Sequence, residues 1–196
     1  MRKTSYKILS LLLCLVLILG LSGCRGKAPA QKQSESTGSV QGKLEQGSSN
    51  ISIPSSAKGP YEVDRVVDGD TFIAKIGDEK VRIRILCIDT PESVAPEETG
   101  KTNTDEGQIS SDRAKELLEG QSVYLEYDEE EKDQYDRTLA YVYLADGRMF
   151  EEIMISEGLA KVVYYEPNIK HRDELYKVQD QAKKDKAGFW GTGFYK

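Results

Sequence analysis

Histidine is almost missing from this sequence: His171 stands alone among 196 residues. Cysteine is scarce too, with only Cys14, Cys24 and Cys87. A zinc site of His and Cys, or a Ser-His-Asp triad, has almost no material to draw on. Cys14 and Cys24 fall in or beside an apolar N-terminal segment. Cys87 is then the one thiol left for a folded domain, which excludes an intramolecular disulfide there. Set among Ile and Leu, it reads as a small buried hydrophobe. His171 reads as a surface residue. A long apolar run is lacking as well. Residues 8–19, apolar apart from Ser10, make 12 residues, short of the roughly 20 that span a bilayer as a helix. Excess positive charge is also missing. Residues 60–196 carry 19 basic and 31 acidic side chains, a net of −12. That argues against a general electrostatic binder of nucleic acid. Any polyanion recognised here must be held locally, or through a cation.

What is present at the N-terminus is an export pattern. Arg2, Lys3 and Lys7 precede the apolar run, so residues 1–23 read as a signal peptide. The stretch LSGC, ending at Cys24, resembles the lipobox of bacterial lipoprotein signals, which makes Cys24 the expected lipidated residue. Residues 24–59 are rich in Gln, Ser, Gly and Lys with almost no large apolar side chain. They cannot bury enough surface to offset chain entropy and read as a disordered tether. Residues 60–196 are one domain's worth of chain.

Within that domain the periodicity is mixed. Residues 61–67 and 71–76 read as strands joined by an Asp-Gly turn. Residues 80–88 read as a strand with Val81, Ile83, Ile85 and Cys87 on one face. A polar loop over 93–107 leads to a helix capped by Ser110 or Ser111, striped by Ala114, Leu117 and Leu118, and stopped at Gly120. Residues 122–127 and 138–144 are two further strands around a charged loop. Residues 149–160 contain a short helix. Residues 172–186 form a last one, acids early and lysines late as the helix dipole prefers. Five short strands with helices interposed and no βαβ alternation point to an α+β fold, a small closed or nearly closed barrel with packed helices.

One stretch is self-contradictory. In VVDGDTF, Asp68 and Asp70 flank Gly69 between strand-forming residues. Asp-Gly alone is a hairpin turn. The sharper reading is that one carboxylate points inward at a cation. Asp89, Thr90 and Glu92, in IDTPE, end the third strand, and a meander would let both groups converge. Oxygen ligands without nitrogen or sulfur suit a hard cation, Ca²⁺ or Mg²⁺. A carboxylate beside it can serve as general base. Arg84 and Arg137 are suited to gripping a phosphate. Arg84 and Asp89 have opposite strand parity, so they share a site only if the strand bends.

The segments VVDGDTF, RIRILCIDTPE, DQYDRTLAYVYLADG, EGLAKVVYYEPN and AKKDKAGFW follow one another as the motifs of the staphylococcal nuclease family do, and the resemblance covers residues 61–191. It implies an OB-fold five-stranded barrel with three packed helices. It implies Ca²⁺ held by Asp70, Asp89 and the carbonyl of Thr90. Glu92 would activate water, and Arg84 and Arg137 would hold the phosphate. Tyr135, Tyr164 and Tyr165 would lie against the nucleotide. The implied activity is calcium-dependent hydrolysis of single-stranded DNA and RNA leaving 3′-phosphates. The lipobox pattern adds the expectation of a monomer lipid-anchored through Cys24 on the extracellular face of the cell membrane, or released from it as a soluble form. Two residues depart from the pattern: Asp136 where the family often has glycine, and Gln134 where lysine is common. The tyrosine segment is one residue shorter. A catalytically weak or silent nucleic-acid-binding module on the same fold is the alternative, and retention of the acids and arginines argues against it.

Overall fold

The computed structural model describes residues 52–93 and 103–196. The expected signal peptide, Cys24, the tether as far as residue 51, and residues 94–102 of the expected loop lie outside the described residues. Along the chain run β1 (Lys58–Asp68), β2 (Thr71–Ile76), β3 (Glu79–Ile85), β4 (Ile88–Asp89), α1 (Asp105–Leu118), β5 (Ser122–Glu126), β6 (Thr138–Leu144), α2 (Phe150–Ser156), β7 (Lys161–Val162), α3 (Arg172–Asp185) and α4 (Gly188–Thr192).

Five strands close a barrel in the order β1-β2-β3-β6-β5. Neighbours pair antiparallel except β3 and β6, which run parallel because α1 and β5 intervene between them. Alternation does what the sequence implies. Ile83 and Ile85 point inward and are buried, while Arg82 and Arg84 face outward. Phe72, Val123, Leu125, Tyr141 and Val142 fill the interior. Each such large side chain contributes about 1.5–3 kcal/mol by leaving water. β4 and β7 form a two-residue ladder beside the barrel.

The structure corrects several boundaries. β1 begins at Lys58, inside the expected 24–59 tether, and pairs with β5 at Lys58↔Leu125 and Tyr61↔Val123. A register shift between Lys58 and Tyr61 accommodates Pro60, which has no N–H for the ladder. Closing the barrel gives this Gly-Pro segment a partner that its composition does not advertise. α1 starts at Asp105, not at Ser110 or Ser111. Thr104 is its N-cap, its hydroxyl accepting the Gly107 N–H at 2.9 Å. The two serines are buried within the helix, and Ser110 donates to the Leu159 carbonyl at 2.8 Å. The described helices number four instead of three, because the glycine-rich end of the chain winds one further turn, α4.

His171 is not a plain surface residue. Its ring stands edge-on to Tyr141 at 4.6 Å, and its Nε2 lies 2.7 Å from a Glu126 carboxylate oxygen. Glu126 is 2% exposed and also receives the Lys170 ammonium at 2.6 Å, the Tyr143 hydroxyl at 3.1 Å and the Ser56 hydroxyl. Burial alone would raise its pKa. The bonds from Lys170, Ser56, His171 and Tyr143 outweigh that and lower it to about 2. Glu151 is the opposite case. Fully buried, with the Val142 N–H at 3.1 Å, its carboxyl is pushed well above the usual range by desolvation.

Candidate active site

The hairpin between β1 and β2 supplies the first acids. Asp68 serves the turn. Its Oδ1 accepts the Gly69 N–H at 2.7 Å and the Ser93 hydroxyl at 2.7 Å. Asp68 therefore ties the hairpin to the residue that follows Glu92. Gly69 is required by space, since a Cβ there would lie 2.7 Å from the Thr90 hydroxyl oxygen. Asp70 points the other way. Its Oδ1 accepts the Thr71 hydroxyl at 2.9 Å, and its Oδ2 accepts the Thr90 N–H at 3.4 Å and lies 3.1 Å from Arg84 Nη2.

A bend separates Arg84 from Asp89, as a shared site would require. β3 stops at Ile85, and Cys87 adopts φ 57°, the left-handed region that non-glycine residues rarely enter. The expected continuous strand over 80–88 is therefore broken. Cys87 is buried as expected, with Sγ 3.3 Å from the Tyr141 hydroxyl, and burial pushes its thiol up. The chain after the bend wraps around the Arg84 guanidinium. That group donates to the carbonyls of Ile85 and of Ile88, the latter at 2.9 Å. With Asp70 Oδ2 beside Nη2 as well, both terminal nitrogens of the guanidinium are held by the chain.

Residues 89–92 follow. Asp89 faces Lys161 across the β4–β7 ladder, 3.3 Å from its ammonium. The Glu92 carbonyl accepts the Thr104 N–H at 3.0 Å. A Cβ at Gly107 would come within 2.1 Å of the same carbonyl oxygen, so only glycine lets the first turn of α1 press against it. Ser93, Thr104 and Gly107 are residues whose part in placing Glu92 sequence reasoning missed, whereas Asp68 reads from the sequence as a residue of the turn or of the support behind the metal ligands. The signal available was the turn acid that the metal reading left unused.

Arg137 comes from the start of β6, whose Leu139 is the register partner of Arg84. It does not share the Asp70–Arg84 contact. Its Nε donates to Asp133 Oδ2 at 2.6 Å, and Asp133 Oδ1 accepts the backbone N–H groups of Tyr135 and Arg137, each at 2.9 Å. The spacing Asp133-x-x-x-Arg137 carried that pairing in the sequence. Tyr135 is 72% exposed with the Arg137 guanidinium 5.5 Å from its ring. Tyr165 is exposed, whereas Tyr164 is half-buried against Arg172 and Tyr176. Asp136 has φ 61°, which accounts for glycine being usual there.

Among the described residues, no three His, Cys, Asp or Glu side chains form a ready metal cage. The turn supplies the Asp70 carboxylate, and the segment after the bend supplies the Asp89 carboxylate and the backbone oxygen of Thr90. Beside it the buried Thr90 hydroxyl oxygen has no hydrogen-bond partner. All of these are hard oxygen donors, and they fit a cation such as Ca²⁺, which takes carboxylate, carbonyl and water oxygens together.

The family described as Staphylococcal nuclease homologue matches residues 82–192. The chain is 42% identical to a protein named thermonuclease from Staphylococcus hyicus over 132 residues, 67% of this chain and 76% of that one. It is 33% identical to endonuclease YncB of Bacillus subtilis over 202 aligned positions, covering 96% of this chain and 94% of the relative. It is 39% identical to the SPbeta prophage-derived endonuclease YokF of Bacillus subtilis, of which it covers 44%. With the barrel, the turn acids and the bend-held arginine in place, these likenesses make the chain a member of the staphylococcal nuclease family.

Proposed function

We propose that this protein is a calcium-dependent nuclease that hydrolyses phosphodiester bonds of single-stranded DNA and RNA and leaves 3′-phosphates. The observation that carries the reading is the joint made by the β1–β2 turn and the Cys87 bend. It sets Asp70 Oδ2 3.1 Å from Arg84 Nη2 and 3.4 Å from the Thr90 nitrogen. The relatives named thermonuclease and endonuclease support it. Asp70, Asp89 and the Thr90 carbonyl would hold Ca²⁺, which when bound supplies positive charge to the phosphate oxygens.

The chain's own groups do the rest. Glu92 accepts a proton from the water that attacks phosphorus. The bond from that water oxygen to phosphorus forms as the bond to the 5′-oxygen breaks, and the 3′-phosphate is left. Arg84 offers guanidinium charge and N–H donors to the equatorial oxygens, where negative charge grows. Arg137 does the same from β6 once substrate competes with Asp133. Tyr135 and Tyr165 present exposed rings to the nucleotide, with Tyr164 behind them. Export by residues 1–23 and lipidation of Cys24 would place the monomeric domain on the extracellular face of the cell membrane.

The test is cleavage of single-stranded DNA by the full chain with Ca²⁺, with Mg²⁺ alone and with chelator. Cleavage in Ca²⁺ that chelator abolishes is the expected result. A folded chain inert in Ca²⁺ would turn the reading to a silent binding module on the same fold. Two observations favour that second reading: the net charge of −12 over residues 60–196 and the engagement of Arg137 by Asp133.

Asp136→Gly separates the two. Relief of the left-handed backbone is worth about 1–2 kcal/mol, and added glycine entropy takes back about 0.5–1 kcal/mol. The exposed pair of Asp136 with Lys132 adds little. Stability should therefore stay nearly level, while KM for single-stranded DNA falls by about 2- to 5-fold as one negative charge leaves the phosphate side. Steady-state kinetics at low and high salt check this, the gain shrinking at high salt.

A further inference from the structure

The end of the chain carries a feature the proposed mechanism does not use. After α4, Gly193 sits at φ 81° and turns the backbone back on itself. Tyr195 then anchors. It is 9% exposed, its N–H bonds the Phe189 carbonyl at 3.2 Å, and its ring packs 5.6 Å from Phe189 and 4.9 Å from Trp190. Its hydroxyl donates to the Leu159 carbonyl at 3.4 Å. Its ring lines the same cleft as Asp89 and Glu92, so the anchor borders the candidate active site.

Phe194 is held by the same cluster, 5.4 Å from Tyr195 and 5.7 Å from Phe189, yet it is 41% exposed. A scattered exposed apolar side chain needs no explanation. This one is ordered by aromatic neighbours and lines a cleft of about 280 Å³ together with residues 89–92, Lys161 and Tyr195. One cleft thus holds the candidate metal and base residues, one ammonium and one rigid ring.

We propose that Phe194 is a stacking platform for a nucleobase of single-stranded nucleic acid, one subsite removed from the scissile phosphate. The proposal rests on the phosphodiesterase reading of the adjoining site. The occupant follows from continuity. A strand whose phosphate lies at Arg84 and Glu92 must leave along a wall of the site, and Phe194 and Lys161 form one such wall. Lys161 suits the phosphate between the two nucleotides. A domain carrying −12 cannot draw affinity from general electrostatics. Base stacking on an aromatic ring, which tolerates any sequence, is the remaining large term. Paired bases in a duplex have no free face, so the platform selects single strands.

The experiment measures anisotropy of a labelled, phosphorothioate-linked single strand of about ten nucleotides, a length within the span of one barrel of this type. It is run with the full chain in Ca²⁺, beside the same probe annealed to its complement. Phe194→Ala and Phe194→Leu should each raise the single-strand Kd by about 5- to 100-fold. Phe194→Trp should bind as well as the parent or better. Affinity for the duplex should not change. Leu keeps the apolar volume without the π face, so a weak Leu variant with an unchanged melting temperature excludes a folding defect. Parent-like single-strand binding by both the Ala and Leu variants overturns the proposal, as does equal weakening on the duplex or failure of the parent chain to bind the strand. Binding needs no turnover. A chain that shows the Phe194 effect but cleaves nothing in Ca²⁺ would overturn the nuclease reading and leave the subsite standing.

Discussion

Glu92→Gln is expected to lower kcat on single-stranded DNA by about 10²- to 10⁴-fold with little change in KM. Gln has nearly the shape of Glu and keeps a hydrogen-bonding end, but it cannot take a proton at neutral pH. The backbone around it is held by groups the substitution does not touch. Thr104 donates to its carbonyl, Gly107 packs on it, and Asp68 holds Ser93 behind it. Folding and substrate binding should therefore survive while the chemical step fails. Steady-state kinetics beside a thermal melt check the split. Near-native kcat in a variant of unchanged melting temperature would mean that another group takes the proton. The variant also guards against a contaminating nuclease, because cleavage that stays at the parent's rate in a preparation of the variant made the same way would come from elsewhere or from another proton acceptor.

Glu126→Gln is expected to cost about 3 kcal/mol of stability at neutral pH. The depression of Glu126 from 4.5 to about 2 is about 2.5 units, and each unit corresponds to about 1.4 kcal/mol. The sign follows from the direction of the shift. A carboxyl whose folded pKa lies below its unfolded one stabilises the fold fully above the unfolded value. That contribution is lost as pH falls from about 4.5 towards about 2. The gap in urea midpoint between parent and variant should be widest at pH 7 and close progressively below pH 4.5. A gap that stays constant through that range would show that the shape of the side chain matters, not its charge. Ser56 and Lys170 reach Glu126 from segments far apart in sequence. The residues just before β1 are therefore part of the domain, and a truncation that starts at residue 59 should lose part of this stabilisation and of its pH dependence.

Much of the architecture was legible without coordinates because its causes are local. Alternation in β3, the Asp-Gly turn, the stripe of α1 and the charge order of α3 each follow from neighbouring residues. The order of strands and helices limits the fold to a few layouts. Boundaries were less legible. Thr104 lost to Ser110 and Ser111 as the apparent cap because burial against Leu159, not capping, is what those serines are for. Lys58 and Gly59 read as linker because their partner strand, β5, lies more than 60 positions away. His171 read as a surface residue because its partner Glu126 is 45 positions back.

By itself, the sequence determined which chemistry was available. With one histidine and one free buried thiol there is no nitrogen or sulfur set for a transition metal. With Asp70, Asp89 and Glu92 beside Arg84 and Arg137 there is a set for holding a hard cation and a phosphate. Tertiary structure alone decided how those groups divide. The left-handed Cys87 breaks the strand between Arg84 and Asp89, while the β1–β2 turn brings Asp70 to Arg84. Gly69 and Gly107 let Thr90 and Glu92 approach where any side chain would collide. Asp133 takes Arg137, and Asp68, the acid of the turn, braces Ser93. The reason is range. A side chain's type is a property of its own position, whereas its partner is set by backbone bends and close approaches between segments that no local pattern encodes.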